Sequence, residues 1–242
     1  MSLLRLEHVS KRYRSGRREV VALDDVSLEV AAGELVAVWG MPRSGRTTLL
    51  RIAAGLERPD GGAVRFGGGV LGIGGQDGGL AAGIGFVQIG LAITGGESIL
   101  DHVAMPLLAR GTAPEHARAA ALEQLERVGA AACAPLQLRE LEPTERVRVA
   151  IAQALVGEPR LLLVDDPTRH VDLLEREAVL LLVRSIADGS VAVLMTTGEA
   201  MGVSGVDRAL TISGGVLRAE AAADGGGDVV VLHGARRGGE GR

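Results

Sequence analysis

The chain has 242 residues, 47% of them hydrophobic, so it can bury a substantial core in one large domain or in one domain carrying a subdomain. Aromatic residues make up only 2%, which leaves Ala, Val, Leu and Ile to build that core. A net charge of −4 argues against nucleic acid as the main partner, and a single cysteine, Cys133, excludes an internal disulfide and suits a reducing compartment.

The opening MSLLRLEHVSKRYR has no long apolar run, so no secretory signal is expected. LLRLEHV (3–9) and EVVALDDVSLEV (19–30) read as β-like runs that bracket a basic, solvated loop, KRYRSGRR. ELVAV (34–38) is a continuous apolar run, as a buried parallel strand requires. A glycine loop from Gly40 to Gly45 follows, then TTLLRIAAGL (47–56) at helical spacing. Residues 61–85 are dense in glycine and are expected to be loose, with poor strand-forming power. The uncharged stretch from Gly78 to Gly96 is as long as a membrane span. Its glycines and Gln88 predict loop, strand, loop instead, so the chain is expected to be soluble and to meet a membrane only through a partner.

From Ser98 to Leu155 the pattern is helical: SILDHVAMPLLAR, then PEHARAAALEQLERV with Thr112 upstream as a cap, then TERVRVAIAQAL. LLLVDD (161–166) is a second buried strand, LLEREAVLLLVRSIA (173–187) an amphipathic helix and VAVLMTT (191–197) a third strand. RALTISGGVLRAE (208–220) predicts a hairpin turning at Gly214–Gly215. The tail at 221–242 is expected to be flexible. Strands alternating with helices predict an α/β fold with a parallel sheet, interrupted by a helical insertion at about 98–155.

The segment WGMPRSGRTT (39–48) carries the chemistry. Two glycines with four residues between them, a cation and a hydroxyl, set between a strand and a helix, outline a phosphate-binding loop. Such a loop works through inward backbone N–H groups and the helix start behind them. The candidate phosphate contacts are Gly40, Ser44, Gly45, Arg46, Thr47 and Thr48, and Thr47 can also offer its hydroxyl to Mg²⁺. The motif calls for lysine where this chain has Arg46, a broad planar fork rather than a compact charge. Lys11 is the only lysine among 26 basic residues, so a compositional bias toward arginine could account for Arg46 alone. Pro42 also removes an N–H from the loop. LLLVDD delivers two carboxylates to the C-terminal end of a strand, where ligands of such sheets collect. Asp165 is the candidate Mg²⁺ residue and Asp166 the candidate general base for an attacking water.

The stretch VALDDVSLEVAAGELVAVWG, the loop, TTLLRIAAGLERPDGGAV and ERVRVAIAQALVGEPRLLLVDDPT together resemble the ATP-binding cassette (ABC) ATPases, and within them the group serving lipoprotein release, macrolide export and cell division. The resemblance covers residues 3–220. It implies a phosphate-loop NTPase fold with a parallel core sheet, an N-terminal antiparallel β subdomain and an inserted helical subdomain, with the cassette at 1–220. It also implies ATP and Mg²⁺ as cofactors, a second cassette and an integral membrane permease as partners, and a place on the inner face of the membrane.

Carried over residue by residue, the resemblance puts Tyr13 where a ring stacks on adenine, the glutamine near the Mg²⁺ at Gln88 or Ile89, and the dimer-loop aspartate at Asp172. The family's catalytic glutamate is Asp166, one methylene or about 1.5 Å shorter. Its switch histidine is Gly198. Its signature, Leu-Ser-Gly-Gly-Gln/Glu, reads Leu141, Glu142, Pro143, Thr144, Glu145. Glu142 puts negative charge where a donor should face phosphate, Pro143 has no N–H, and Thr144 adds a Cβ where close approach needs glycine. The scaffold is retained while most catalytic positions are altered. Three functions stay open: a transporter subunit that binds ATP with weak or absent hydrolysis, paired preferably with a different, competent cassette; a scaffold that binds no nucleotide; and a working ATPase driving export. His8, His102, His116, His170 and His233 show no metal-ligand spacing and are expected at the surface, while Trp39 is expected to pack in the core.

Overall fold

The computed structural model describes residues 2–16, 18–72, 80–89, 96–199 and 205–219. The tail at 221–242 lies outside them, as does the centre of the glycine-rich stretch at 73–79.

Strands β1 (Ser2–Ser15) and β2 (Arg18–Ala31) form a long antiparallel pair, from Ser2 opposite Ala31 to Ser15 opposite Arg18. In β2 the buried residues Val26, Leu28 and Val30 alternate with exposed ones, the period of a sheet with one covered face. The basic segment expected to be a loop is therefore mostly strand: Lys11 to Arg14 are paired with Leu23 to Glu19, and the chain reverses only between Ser15 and Arg18. Two of its cations find partners. Arg12 pairs with Glu19 at 3.2 Å and gives its backbone N–H to Asp60 Oδ2 at 2.7 Å, and Lys11 Nζ reaches the Arg58 carbonyl at 2.7 Å.

The described part of the glycine-rich stretch holds more strand than expected. β4 (Gly61–Phe66) pairs with β1 through Leu4–Phe66 and Leu6–Val64, and β5 (Gly69–Val70) adds to β4. Pairing to an existing strand outweighs the poor intrinsic propensity of glycine. At Gly62, with φ +82°, a Cβ would lie 2.3 Å from the His8 carbonyl oxygen, so the close approach itself demands glycine.

The second sheet holds β3 (Leu35–Trp39), β6 (Ile84–Gln88), β7 (Leu161–Asp165), β8 (Ala192–Thr197), β9 (Arg208–Ser213) and β10 (Val216–Ala219) in the order β10-β9-β3-β8-β7-β6. All neighbours run parallel except β10, which returns through the predicted turn at Gly214 and Gly215, both with positive φ. The unbroken apolar runs follow from burial on both faces. Leu35, Ala37, Leu162, Val164, Val193 and Met195 face one core with helices α2 to α5. Val36, Val38, Leu161, Leu163, Ala192 and Leu194 face another with α1 and the antiparallel sheet.

These helices are α1 (Arg46–Ala53), α2 (Ile99–Leu108), α3 (Pro114–Arg127), α4 (Pro143–Leu155) and α5 (Leu173–Asp188). α2, α3 and α4 lie between β6 and β7 in the chain, where the helical insertion was expected. Ser98 caps α2 by accepting from the Asp101 N–H at 3.1 Å. α3 starts at Pro114, and Ala113 rather than Thr112 occupies its N-cap; proline at the first turn tolerates the absence of a side-chain cap, since its own missing N–H is one fewer to satisfy. Of the histidines expected at the surface, His102 is half-buried, and burial pushes its imidazole pKa below the usual value. Among the described residues no helix is long and apolar enough to cross a membrane.

Leu163 is fully buried in the centre of β7. Leu163→Ala should cost about 3 kcal/mol in denaturant unfolding, through lost transfer energy plus a cavity. Acid sensitivity should centre partly on Asp207. Burial raises its pKa, but the Leu35 N–H at 2.8 Å and the Arg184 guanidinium at 2.9 Å outweigh burial and leave it below the ordinary value. A carboxyl depressed on folding stabilises above its unfolded pKa, and that contribution is lost as pH falls through the folded value. Asp207→Asn should thus lower stability at neutral pH and flatten its decline in acid, read from unfolding midpoints between neutral pH and about pH 3.

Candidate phosphate-binding site

The chain leaves the sheet at Gly40, whose N–H is held by the Thr197 carbonyl at 3.1 Å. A Cβ there would lie 2.6 Å from both the Ile212 carbonyl oxygen and Ser44 Oγ, so only glycine fits. The loop then turns through two residues in the left-handed region, Arg43 at φ +67° and Gly45 at φ +109°. At Gly45 a Cβ would come within 2.1 Å of the Ala22 carbonyl oxygen. Left-handed steps of this kind fold backbone amides into a concave nest. α1 begins at the next residue, so the N–H groups of its first turn, at Arg46, Thr47 and Thr48, open onto the same concavity without intrahelical acceptors. Ser44 Oγ is buried and has no hydrogen-bond partner among the described residues. A nest, a helix start and an orphaned hydroxyl fit a phosphate group.

The neighbouring strands supply the carboxylates. In the parallel register Asp165 lies opposite Thr196 of β8 and Gln88 of β6. Asp165 Oδ2 accepts from Thr47 Oγ1 at 2.8 Å, and Oδ1 accepts from Thr196 Oγ1 at 2.7 Å. A threonine hydroxyl beside a carboxylate is the hard oxygen donor set that Mg²⁺ takes, with water and phosphate completing the shell. Thr47 and Asp165 would hold the ion, and Gln88 ends β6 on the same edge.

Asp166 steps out of the strand at φ +48°, with its N–H on the Thr196 carbonyl at 3.0 Å. Each oxygen of its carboxylate accepts one hydrogen bond. Oδ2 accepts from Arg46 Nη1 at 3.1 Å and Oδ1 accepts from the Gly198 N–H at 3.2 Å, with the Arg46 and Asp166 side chains only 12% and 14% exposed. The long fork of Arg46 reaches across to Asp166, where it is paired in a poorly solvated place. A water polarised by Asp166 would share the carboxylate with the Arg46 guanidinium and the Gly198 N–H.

The outlying residues divide. Tyr13, on β1, comes to α1: its hydroxyl donates to Glu57 Oε1 at 2.5 Å and lies 3.4 Å from Thr48 Oγ1, while its ring is partly exposed. Burial and the Glu57 carboxylate push its phenol pKa above the usual value. Trp39, at the end of β3, is partly buried, with its indole N–H enclosed. The signature positions are turned to the start of α4. Leu141 is buried, Glu142 is the N-cap, Pro143 opens the helix, and Glu145 accepts the Glu142 N–H at 2.9 Å. Thr144 is buried and its hydroxyl donates to Glu175 of α5. Asp172 is the exposed N-cap residue of α5 and makes no hydrogen bond or ion pair to the loop among the described residues.

Three participants were missed from the sequence. Thr196 lies within VAVLMTT, where a polar residue at the end of a buried strand was a usable signal. Glu57 follows α1 and holds Tyr13. The Gly198 N–H holds Asp166, and a main-chain donor leaves no mark in a sequence.

A family model for ABC transporters matches residues 23–169. The chain is 38% identical over 226 residues to the lipoprotein-releasing system ATP-binding protein LolD of Chromohalobacter salexigens, covering 90% of this chain and 94% of that one. It is 36% identical over 229 residues to the same-named protein of Shewanella sp. strain MR-4, covering 90% and 96%. Among solved structures it is similar to the ATP-binding cassette MJ0796, as a dimer in a post-hydrolysis state bound to ADP and Pi, with a TM-score of 0.80, 25% identity and 92% and 99% of the two chains covered.

Gly45→Ala should lose phosphate affinity and at least about 2 kcal/mol of stability, since it strains a left-handed position and drives a methyl into the Ala22 carbonyl. Calorimetric titration with inorganic pyrophosphate, alongside thermal unfolding, reads both.

Proposed function

Because this chain belongs to the ABC transporter family, we propose that it is a nucleotide-binding subunit that takes Mg·ATP weakly and hydrolyses it slowly or not at all, within a dimer of cassettes on an integral membrane permease. The observation that carries this reading is the Arg46–Asp166 ion pair at 3.1 Å. It occupies the loop's cation and the would-be base with one another. The amides of the loop remain open to phosphate oxygens, the Thr47 hydroxyl and Asp165 carboxylate are placed for Mg²⁺, and the Tyr13 ring stands beside α1 for a base to stack on. Bound Mg²⁺ would neutralise phosphate charge. Asp166 is one methylene short of a glutamate and doubly hydrogen-bonded, which makes it a weakened base.

The altered signature bears on the dimer. Glu142 and Glu145 cap α4 and Pro143 has no N–H, so this helix start offers a partner's phosphate fewer donors and an added negative charge. A homodimer would pair two such faces with two weakened loops. A second, different cassette with intact chemistry is therefore the favoured partner, and it would carry turnover. The cassette spans 1–220, with a helical subdomain at about 98–155 inserted in it and a tail at 221–242. The complex sits on the inner face of the membrane, held there by the permease. Similarity to LolD proteins points to lipoprotein release as the transport process.

One other reading has specific support: a scaffold that binds no nucleotide, favoured by the same ion pair if phosphate does not displace it. The two part on calorimetric titration with Mg·ATP of the natural chain and of Arg46→Lys, followed by phosphate release from each. Binding by both with turnover below about 0.1 per second supports the proposal. Binding by neither supports the scaffold. Turnover of the isolated chain at about 1 per second or faster sinks both and leaves a working ATPase.

A further inference from the structure

The three altered positions around the loop act on one another. Gly198 follows β8, and its φ lies outside the left-handed region, so its backbone does not require glycine. The requirement is room. A Cβ at Gly198 would lie 3.3 Å from Arg46 Nη1, 3.3 Å from Nη2 and 3.4 Å from Asp166 Oδ2. A methyl there already presses on the guanidinium, and any larger side chain branching toward it would need the same space. Meanwhile the Gly198 N–H donates to the other oxygen of Asp166 at 3.2 Å. The short side chain of Asp166 keeps its carboxylate near the main chain where that N–H can reach it. Arginine at position 46 then spans the remaining gap with a planar donor group.

We propose that Gly198 is a positioning residue: its missing side chain admits the Arg46 guanidinium and its N–H fixes Asp166, so that the Asp166 carboxylate competes with phosphate for Arg46. The competition rests on the nucleotide-binding reading; the positioning does not. Breaking a poorly solvated ion pair leaves both charges without a partner. Incoming phosphate replaces the acceptor of Arg46 but leaves Asp166 with the Gly198 N–H alone, and that cost is what sets the competition. Arg46 thus acts as a cation held in reserve by the site's own carboxylate.

The test uses Gly198→Ala and Asp166→Asn, each with Arg46 present and with Arg46→Met, titrated with ADP in a calorimeter and unfolded in urea. ADP removes any contribution from hydrolysis. Gly198→Ala and Asp166→Asn should each tighten ADP about fivefold or more by freeing Arg46, and the gain should vanish with Arg46→Met. In unfolding, Arg46→Met and Asp166→Asn should be non-additive in the natural background and additive once Gly198→Ala is present. Unchanged or weaker ADP affinity, or a gain that persists with Arg46→Met, overturns the competition. If no variant binds ADP, Arg46→Lys included, the nucleotide-binding reading fails by itself. The unfolding cycle then decides alone: non-additivity removed by Gly198→Ala sustains the positioning role, and additivity throughout overturns it.

Discussion

The parallel register of β3, β8 and β7 governs every distance at the loop. Trp39 lies opposite Thr197, and Thr196 lies opposite Asp165, so the three strands end at one level and release their chains side by side. That level edge lets Gly40 bond to the Thr197 carbonyl, Thr196 to the Asp165 carboxylate, and Gly198 to Asp166. A slip of one residue would turn each of these side chains to the opposite face. The register resists slipping because both faces of the sheet are buried: alternate residues of each strand belong to two separate cores, and a shift would misplace both sets.

On this edge the protein keeps the backbone of a phosphate cradle while meeting many of its polar groups internally. The ion pair joins Arg46 to Asp166, and Asp165 takes hydroxyls on both oxygens. Internal satisfaction has a clear physical advantage. A partly buried charge left without a partner costs more than a hydrogen bond returns, so these side chains are stabler for being paired with one another. By contrast, the amides of the first turn of α1 have no intrahelical acceptor, and the Ser44 hydroxyl keeps no partner among the described residues.

Glycines divide between the two roles. Gly40, Gly45 and Gly62 are required by close backbone approach, and any Cβ would collide with a carbonyl oxygen. Gly198 is different, because its neighbours are the ends of charged side chains. The first kind holds the backbone of the loop and the sheets, while the second borders the Arg46–Asp166 pair.

The sequence alone determined the strands of the parallel sheet, the loop and most of the helices, because these depend on short-range patterns. Apolar runs marked β3, β7 and β8, two glycines marked the β9–β10 turn, and WGMPRSGRTT with LLLVDD marked a phosphate site and its carboxylates. Lys11 to Arg14 read as loop because their charges look solvated, and only pairing with β2 and the reach to Asp60 put them in a strand. β4 needed β1 as a template to overcome its glycines. The partner of Arg46 was beyond any local pattern: Asp166 is 120 residues away, and the space they share exists because Gly198 arrives on a third strand. Residue types reveal which groups a chain has to offer. The spacing between strands, fixed by packing on both faces of the sheet, decides which of those groups meet each other and which are left for a ligand.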